Sequence, residues 1–90
     1  MHPGEILRDE FMAEYRLSAN KLALSLRVPV TRISEIINGR RSISPDTAVR
    51  LARFFGTSPE FWLNLQLRYD LQVAQADQPQ IEREVQPLAV

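Results

Sequence analysis

The chain has 90 residues, 44% of them hydrophobic, and its eleven basic and eleven acidic side chains give a formal net charge of zero. This length accommodates one small hydrophobic core, and the hydrophobic content excludes a wholly disordered protein. With no cysteine and one histidine, His2, the sequence predicts no disulfide, no metal site and no cofactor. No apolar run approaches the ~18 residues of a membrane span and no signal-peptide pattern opens the chain, so we expect a cytoplasmic protein.

The first two elements in chain order are predicted to be helices. Pro3, Gly4 and Glu5 open a helix of roughly residues 3–14. Ser18 is a favourable N-cap for a second helix of roughly residues 19–26. Their apolar stripes are Ile6, Leu7, Phe11 and Met12 in the first helix and Ala19, Leu22, Ala23 and Leu26 in the second.

The third predicted helix begins near Pro29, a residue that suits the first helical turn. Ile33, Ile36 and Ile37 follow at the spacing of one helical face. The dipeptide Asn38-Gly39 is typical of a helix C-terminus. This short helix therefore ends immediately before two consecutive arginines, Arg40 and Arg41.

Two serine-proline pairs predict the remaining helices. Ser44-Pro45 starts a fourth helix, which Gly56 ends, and Ser58-Pro59 starts a fifth, which runs to about residue 75. The residues beyond are rich in glutamine and proline and have few apolar side chains, so we expect an extended or mobile tail with at most a short ordered piece. The sequence thus predicts an all-α protein with a five-helix domain at 1–75 and a C-terminal tail at 76–90.

The fifth helix carries more apolar residues than one buried stripe requires. Such a surplus indicates a second buried contact. We predict a homodimer interface here, formed by Phe61, Trp62, Leu65 and Tyr69. The alternative is that these side chains only cover the first helix or a folded-back tail of the same chain.

Charge is distributed unevenly along this neutral chain. Residues 16–53 contain eight basic and two acidic side chains, a net charge of +6. Residues 1–15 and residues 54–90 each have a net charge of −3. A basic middle segment is typical of a surface that binds a polyanion, although charge alone is equally compatible with an ordinary solvated surface.

The second and third helices are short, are separated by about three residues and are followed by a basic loop. This arrangement is typical of a helix-turn-helix, whose second helix enters the major groove of DNA. The small residue Ala23 fits the close approach of the two helices. Arg27 occupies the turn position where many such motifs have glycine, which costs ~1 kcal/mol if its backbone is left-handed.

The outward face of the third helix supplies the candidate base contacts. Val30 and Thr31 lie at its N-terminus, where side chains reach base edges. Arg32 is suited either to guanine or to a phosphate, and Glu35 either to cytosine or to pairing with an arginine. The complete predicted set on this helix is Val30, Thr31, Arg32, Ser34, Glu35 and Asn38. Asn38 has the alternative role of ending the helix.

Phosphate contacts are predicted at both ends of the motif. Arg40, Arg41 and Ser42 occupy the loop that leaves the third helix. Ser18, Asn20 and Lys21 lie at the N-terminus of the second helix, whose amides favour an anion. Ser18 has the alternative role of a helix cap alone.

Three segments carry a family resemblance: HPGEIL at residues 2–7, RISEIINGRRSIS at residues 32–44, and FWLNLQ at residues 61–66 with YDL at residues 69–71. On these segments the chain resembles the XRE-like, lambda-repressor-like helix-turn-helix family, and within it the HigA antitoxins of the VapI group. The resemblance spans roughly residues 2–75, and the segment around Trp62 is its most specific part.

The resemblance implies a bacterial type II antitoxin that neutralises a cognate HigB toxin, a RelE-like ribonuclease that cuts mRNA on the ribosome. It also implies a homodimer that represses its own operon at a palindromic operator. Because the net charge of −3 of residues 1–15 suits a basic ribonuclease partner, we expect the toxin to contact the acidic first helix. The predicted toxin-binding residues are Glu5, Asp9, Glu10 and Glu14.

Other functions are compatible with parts of this pattern. The first alternative is a stand-alone or phage-type repressor without a toxin partner. The second is a protein-interaction module that does not bind DNA. An enzyme is disfavoured because the carboxylates lack a plausible base or metal partner in the sequence.

Overall fold

The computed structural model describes residues 1–89, so the last residue of the predicted tail, Val90, lies outside the described part. Within residues 1–89 the secondary structure is entirely helical. Its elements are α1 (Pro3–Ile6), a π-helical segment (Leu7–Met12), α2 (Ala19–Leu26), α3 (Val30–Ile37), α4 (Pro45–Phe55), α5 (Pro59–Gln75) and α6 (Gln78–Glu84). No helix in the described residues is long and apolar enough to cross a membrane.

The first predicted helix forms, but its second half is a π-helix. The Ala13 amide donates to the Arg8 carbonyl, five residues back, at 3.0 Å. This wider turn brings Leu7 and Met12 to the same side, where both are buried. In a regular α-helix residues five apart point to different sides, so the apolar pattern did not reveal this register.

Serine N-caps set the starts of three helices, as the sequence predicted. The side-chain oxygens of Ser18, Ser44 and Ser58 accept hydrogen bonds from the amides three residues on, at 3.1, 3.3 and 3.1 Å respectively. Proline follows Ser44 and Ser58 at the first helical position. Gly56, with φ of 74°, ends α4 in the left-handed conformation.

One hydrophobic core joins the elements up to the middle of α5. Its fully buried side chains come from the π-helical segment and from every helix between α2 and α5, namely Leu7, Leu22, Ile33, Ile36, Ala48, Leu51 and Trp62. Trp62 packs against Phe11 at a ring-centroid distance of 4.8 Å, and its indole N–H donates to the Thr57 hydroxyl oxygen at 2.8 Å. The aromatic group thus joins the N-terminal segment to α5.

The C-terminal part of the chain projects from this core. The molecule measures 54 × 22 × 21 Å, and every residue from 70 to 89 is exposed. The predicted extended or mobile tail contains a sixth helix, α6, so the prediction of five helices is corrected to six. The proline and glutamine content of the tail was taken as evidence against a helix. Pro79, however, lies in the first turn of α6, where proline is well tolerated.

Candidate nucleic-acid interface

The turn between α2 and α3 has a left-handed residue at its start. Arg27 has φ of 58° and ψ of 47°, which confirms the strained position predicted from the absence of glycine. The next amide, that of Val28, donates to the Ala23 carbonyl at 3.0 Å. Ala23 is buried where α2 packs against α3. This turn fixes the angle at which α3 leaves α2.

The two faces of α3 differ as expected from its isoleucine spacing. Ile33 and Ile36 are completely buried, and Ile37 is half-buried. The opposite face contains all six predicted base-contacting residues: Val30, Thr31 and Asn38 are exposed, and Arg32, Ser34 and Glu35 are half-buried. Because the inward face is fixed by the core, this outward face is presented in one orientation.

An ion-pair network holds the flank of α3 against α4. The carboxylate of Asp46 accepts from Arg50 at 2.9 Å and from Arg32 at 3.1 Å. Hydrogen bonds first from Arg50 and then from Arg32 lower the pKa of Asp46 below its usual range. Arg50 also donates to the Leu26 carbonyl at the end of α2, at 2.9 Å. The network therefore positions Arg32 and joins α2, α3 and α4 beside the outward face of α3.

Glu35 pairs with Arg41 at 3.2 Å. Of the two roles predicted for Glu35, contact with cytosine or pairing with an arginine, this contact corresponds to the second. Both side chains remain substantially exposed, so the pair is open to exchange with a phosphate. Arg40 is exposed and forms no ion pair with a carboxylate in the described residues. We call Arg40, Arg41 and Ser42 the basic loop.

The basic loop is fixed at both ends. At its start, Gly39 has φ of 73° and the Arg40 amide donates to the Glu35 carbonyl at 2.8 Å. At its end, Ile43 is 2% exposed in the core, and its amide donates to the side-chain oxygen of Gln66 at 2.8 Å. These contacts make the loop a rigid extension of α3.

Gln66 is a residue of this site that the sequence did not indicate. Its side-chain nitrogen donates to the Ser42 hydroxyl at 3.3 Å and to the Asp70 carboxylate at 2.9 Å. The residue is buried, and two hydrogen bonds link it to the end of the basic loop: the one to Ser42 and the one from the Ile43 amide. A polar residue one turn after the buried Trp62 was the available signal, because a polar side chain in an apolar stripe requires a specific partner.

The N-terminus of α2 offers exposed groups on the other side of the turn. Ser18, Asn20 and Lys21 are all exposed. The Ser18 side chain caps the helix by accepting from the Lys21 amide at 3.1 Å, so its capping role is confirmed. Since the first amides of a helix have no partner inside it, this end of α2 also suits a phosphate.

The residues before α1 pack against the end of α3. The Nδ1 atom of His2 accepts from the Gly4 amide at 2.9 Å, and the His2 ring meets the Tyr69 ring at a centroid distance of 4.8 Å. Burial lowers the pKa of His2 below its usual value. Gly4 is so close to α3 that an added Cβ would clash with the Ile36 carbonyl. The HPGEIL segment thus packs against the C-terminal end of α3 and supports it. This role was not predicted from the sequence.

The four residues predicted to form the dimer interface differ in their exposure to solvent. Trp62 is 0% exposed within one chain, so the prediction that it lies in a dimer interface is corrected: it is a core residue with no surface for a second copy. Phe61 is exposed, while Leu65 and Tyr69 are half-buried. The intrachain alternative therefore accounts for part of the apolar surplus of α5. On α5, the large apolar side chains that are exposed but were not in the predicted set are Leu67, Leu71 and Val73.

The predicted toxin-binding carboxylates lie at the N-terminal end of the chain. Asp9, Glu10 and Glu14 are exposed, and Glu5 is half-buried. Asp9 pairs with Arg8 at 2.8 Å, and hydrogen bonding to Arg8 lowers the pKa of Asp9.

In residues 1–89 no group of three or more metal-ligating side chains is close enough together to hold a metal ion.

Comparison with known proteins agrees with this arrangement. A family model described as helix-turn-helix matches residues 10–62. Virulence-associated protein I of Dichelobacter nodosus is 48% identical over 81 residues, which cover 90% of this chain and 75% of the relative.

Two solved structures are similar over almost the whole chain. The first is the antitoxin HigA of Pseudomonas aeruginosa with the higBA promoter, with a TM-score of 0.93, 48% identity and coverage of 99% of this chain and 98% of that one. The second is an addiction module antidote protein of a HigA family from Coxiella burnetii, with a TM-score of 0.89, 53% identity and coverage of 98% and 97%.

Proposed function

The chain belongs to the helix-turn-helix family that includes the HigA antitoxins and virulence-associated protein I, and from this membership we propose that it is an antitoxin. It binds the operator of its own operon as a homodimer, represses transcription in the cytoplasm, and neutralises a RelE-like mRNA-cleaving toxin. It acts by binding and performs no catalysis.

The observation that carries the DNA-binding part is the rigid presentation of α3 and the basic loop as one surface. Buried Ile33 and Ile36 fix the helix, and Gln66 fixes the loop that follows it. Thr31 and Val30 at the exposed N-terminus of α3 then read bases, and Arg40 and Arg41 contact the phosphate backbone. The N-terminus of α2, with Lys21, contacts a second phosphate.

The DNA-binding part is tested by the salt dependence of operator binding. Replacing Arg40 and Arg41 by alanine should weaken binding to operator and unrelated DNA alike, and should reduce the slope of log affinity against log salt by about two. The matched control is the double change of Arg68 and Arg83 to alanine. These two exposed arginines belong to α5 and α6 and lie outside α3 and the basic loop. An unchanged slope for the first variant would show that the basic loop does not contact DNA.

Replacing Thr31 by valine separates sequence reading from phosphate binding. This change keeps the size of the side chain and removes its hydroxyl. If Thr31 reads a base through that hydroxyl, affinity should fall for the operator alone, by the ~1–3 kcal/mol of a base contact. Equal losses on operator and unrelated DNA would contradict the assignment.

The toxin is proposed to bind the acidic N-terminal surface. Glu10 and Glu14 are exposed and form no ion pair with a basic side chain in residues 1–89, so they are available to a basic partner. Glu5 and Asp9 add negative charge beside them.

Co-expression with the neighbouring open reading frame tests this part and separates an antitoxin from a stand-alone repressor. The chain should co-purify with the neighbouring product and protect cells from it. The double change of Glu10 and Glu14 to lysine should weaken that complex. The same double change at Glu60 and Asp77, both exposed and outside this surface, should leave it intact. Equal affinity in both variants would place the toxin elsewhere.

A further inference from the structure

Two carboxylates lie within the basic middle segment of the chain. Glu35 and Asp46 are the only acidic residues between positions 16 and 53. Glu35 pairs with Arg41 at 3.2 Å, and Asp46 pairs with Arg32 at 3.1 Å. Both arginines belong to the set predicted to contact DNA. Because a negative charge beside an arginine weakens the attraction of that arginine to phosphate, both pairs lower the affinity for DNA of any sequence.

The Asp46 carboxylate is held in place by a second arginine. Its Oδ2 atom accepts from Nε of Arg50 at 2.9 Å, in addition to Nη1 of Arg32. Arg50 is anchored in turn, since its Nη1 donates to the Leu26 carbonyl at 2.9 Å. Asp46 is therefore a fixed negative charge beside Arg32, whereas Glu35 has a single arginine partner.

The guanidinium of Arg32 keeps free donors beside this fixed charge. The Arg32 side chain is 29% exposed, and in residues 1–89 only its Nη1 atom donates to another side chain. Since a guanidinium has five N–H donors, the others are available to DNA. Arg32 and Asp46 both line an open cavity of about 360 Å³ between α3, the basic loop and α4. A group that reaches Arg32 from this cavity therefore also meets the carboxylate.

The carboxylate acts differently on the two ligands predicted for Arg32. A phosphate is negatively charged, so Asp46 repels it and offsets part of its attraction to Arg32. The O6 and N7 atoms of guanine are neutral acceptors, which accept hydrogen bonds from arginine without that repulsion. Asp46 thus favours contact with a base over contact with a phosphate by the same arginine.

We propose that Asp46 is a specificity-determining residue, which positions Arg32 for a guanine edge and prevents it from binding a phosphate. The proposal rests on the operator binding of the proposed function. Asp46 acts through Arg32. Its removal should therefore raise the affinity for unrelated DNA and lower the preference for the operator, an effect that loss of a merely structural contact would not have.

Replacing Asp46 by asparagine tests this role, because the change keeps the shape of the side chain and removes its charge. Affinity for unrelated DNA should rise several-fold, and the slope of log affinity against log salt should steepen by about one as Arg32 contacts a phosphate. The ratio of operator affinity to affinity for unrelated DNA should fall roughly 10-fold, as expected for one lost base contact. Fluorescence titrations at several salt concentrations measure all three quantities.

Glu60→Gln is the matched control. Glu60 is the second residue of α5 and follows a serine cap and a proline, as Asp46 does in α4. This change removes the same charge from the same helical position, outside α3 and the basic loop. It should leave the salt slope and the affinity ratio unchanged. Equal effects of the two changes would show that only net charge matters, which overturns the proposal.

Arg32→Ala shows whether Asp46 acts through Arg32. In this background Asp46→Asn should no longer change the slope or the ratio, and the same effect with and without Arg32 overturns the proposal. Arg32→Ala alone gives a readout that does not depend on the stability of the Asp46 variant. It should lower operator affinity roughly 10-fold more than affinity for unrelated DNA. Equal losses on both DNAs, with the slope reduced by about one, would assign Arg32 to a phosphate and refute the role of Asp46.

The outcomes separate this proposal from the proposed function. If the natural chain prefers its operator but folded Asp46→Asn binds both DNAs less tightly, or with an unchanged ratio, the role of Asp46 is refuted and the proposed function stands. If the natural chain has no preference for its operator over unrelated DNA, the DNA-binding part of the proposed function is itself refuted.

Discussion

The side-chain oxygen of Gln66 accepts a hydrogen bond from the backbone amide of Ile43 at 2.8 Å, although the two residues are 23 positions apart. The nitrogen of the same side chain donates to Ser42, so one residue of α5 satisfies two groups at the end of the basic loop. Since Ile43 is buried, its amide has no access to water as a substitute partner. The position of the basic loop therefore depends on α5.

Replacing Gln66 by leucine should both destabilise the fold and weaken DNA binding. The buried Ile43 amide would lose its acceptor, which costs ~1–3 kcal/mol in the free energy of unfolding. Urea denaturation measures this loss, and operator titration under conditions where the variant is folded should show weaker binding through the displaced basic loop. The control Leu67→Gln, at an exposed neighbouring position, should change neither quantity appreciably. Full operator affinity in folded Gln66→Leu would show that the loop needs no support from α5.

Replacing Gly4 by alanine should destabilise the protein strongly for a purely steric reason. A Cβ at this position would lie 1.8 Å from the Ile36 carbonyl oxygen, so α1 must move away from α3. Overpacking of this kind costs ~1–3 kcal/mol or more. Thermal and urea unfolding measure the change.

Gly39→Ala is the matched control for this steric effect. Gly39 has φ of 73° but space for a Cβ, so its replacement should cost only the ~1 kcal/mol of a left-handed backbone. A smaller loss for Gly4→Ala than for Gly39→Ala would contradict the close approach of α1 to α3.

Replacing Arg27 by glycine should stabilise the protein. Arg27 has φ of 58°, and glycine removes the ~1 kcal/mol cost that an L-residue has there, less the extra chain entropy that glycine gives the unfolded state. We expect an increase of up to ~1 kcal/mol in the free energy of unfolding. Arg27→Lys keeps the charge and the strain and should leave stability unchanged, which isolates the backbone effect from the loss of a positive side chain.

Replacing Trp62 by alanine should unfold or nearly unfold the monomer. The side chain is completely buried against Phe11 and Phe55, and removal of such a large aromatic residue costs ~3–5 kcal/mol. Circular dichroism during thermal unfolding measures the effect. Phe61→Ala, at the exposed neighbouring aromatic position, should cost much less. A folded Trp62→Ala monomer that only fails to dimerise would restore the interface role that we have corrected.

Stability should fall as the pH drops through the range in which histidine titrates. Burial lowers the pKa of His2 in the folded state, so the unfolded state binds more protons as the pH falls below the ordinary value of 6.5. The stability contributed by neutral His2 is therefore present above pH 6.5 and decreases below it, until the pH lies below the folded-state pKa. Urea titrations between pH 7.5 and about 5 measure this loss.

His2→Asn is the control for the pH effect, because asparagine can cap α1 without titrating. His2 is the one histidine of the chain, so this variant should abolish the pH dependence above about pH 5. Persistence of the same dependence in His2→Asn would exclude His2 as its origin.

Most of the helices were predictable from local signals. Serine caps, prolines in first turns and the spacing of Ile33, Ile36 and Ile37 act through neighbouring residues, so these signals are complete in the sequence. The orientation of α3 follows from that spacing as well, because only one side of a short helix is apolar. The left-handed backbone at Arg27 could be anticipated from the helix-turn-helix motif, in which glycine often occupies this position.

Only the tertiary structure decided which residues hold the outward face of α3 and the basic loop in position. The hydrogen bonds of Gln66, the approach of Gly4 to Ile36 and the burial of Trp62 join segments distant in sequence, and a local pattern cannot contain them. The sixth helix was missed for a different reason: all its residues are exposed, and its glutamine- and proline-rich sequence carries weak helical signals. Sequence thus determined most of the helices and the chemistry of the exposed face of α3, whereas long-range packing determined how rigidly that face is held.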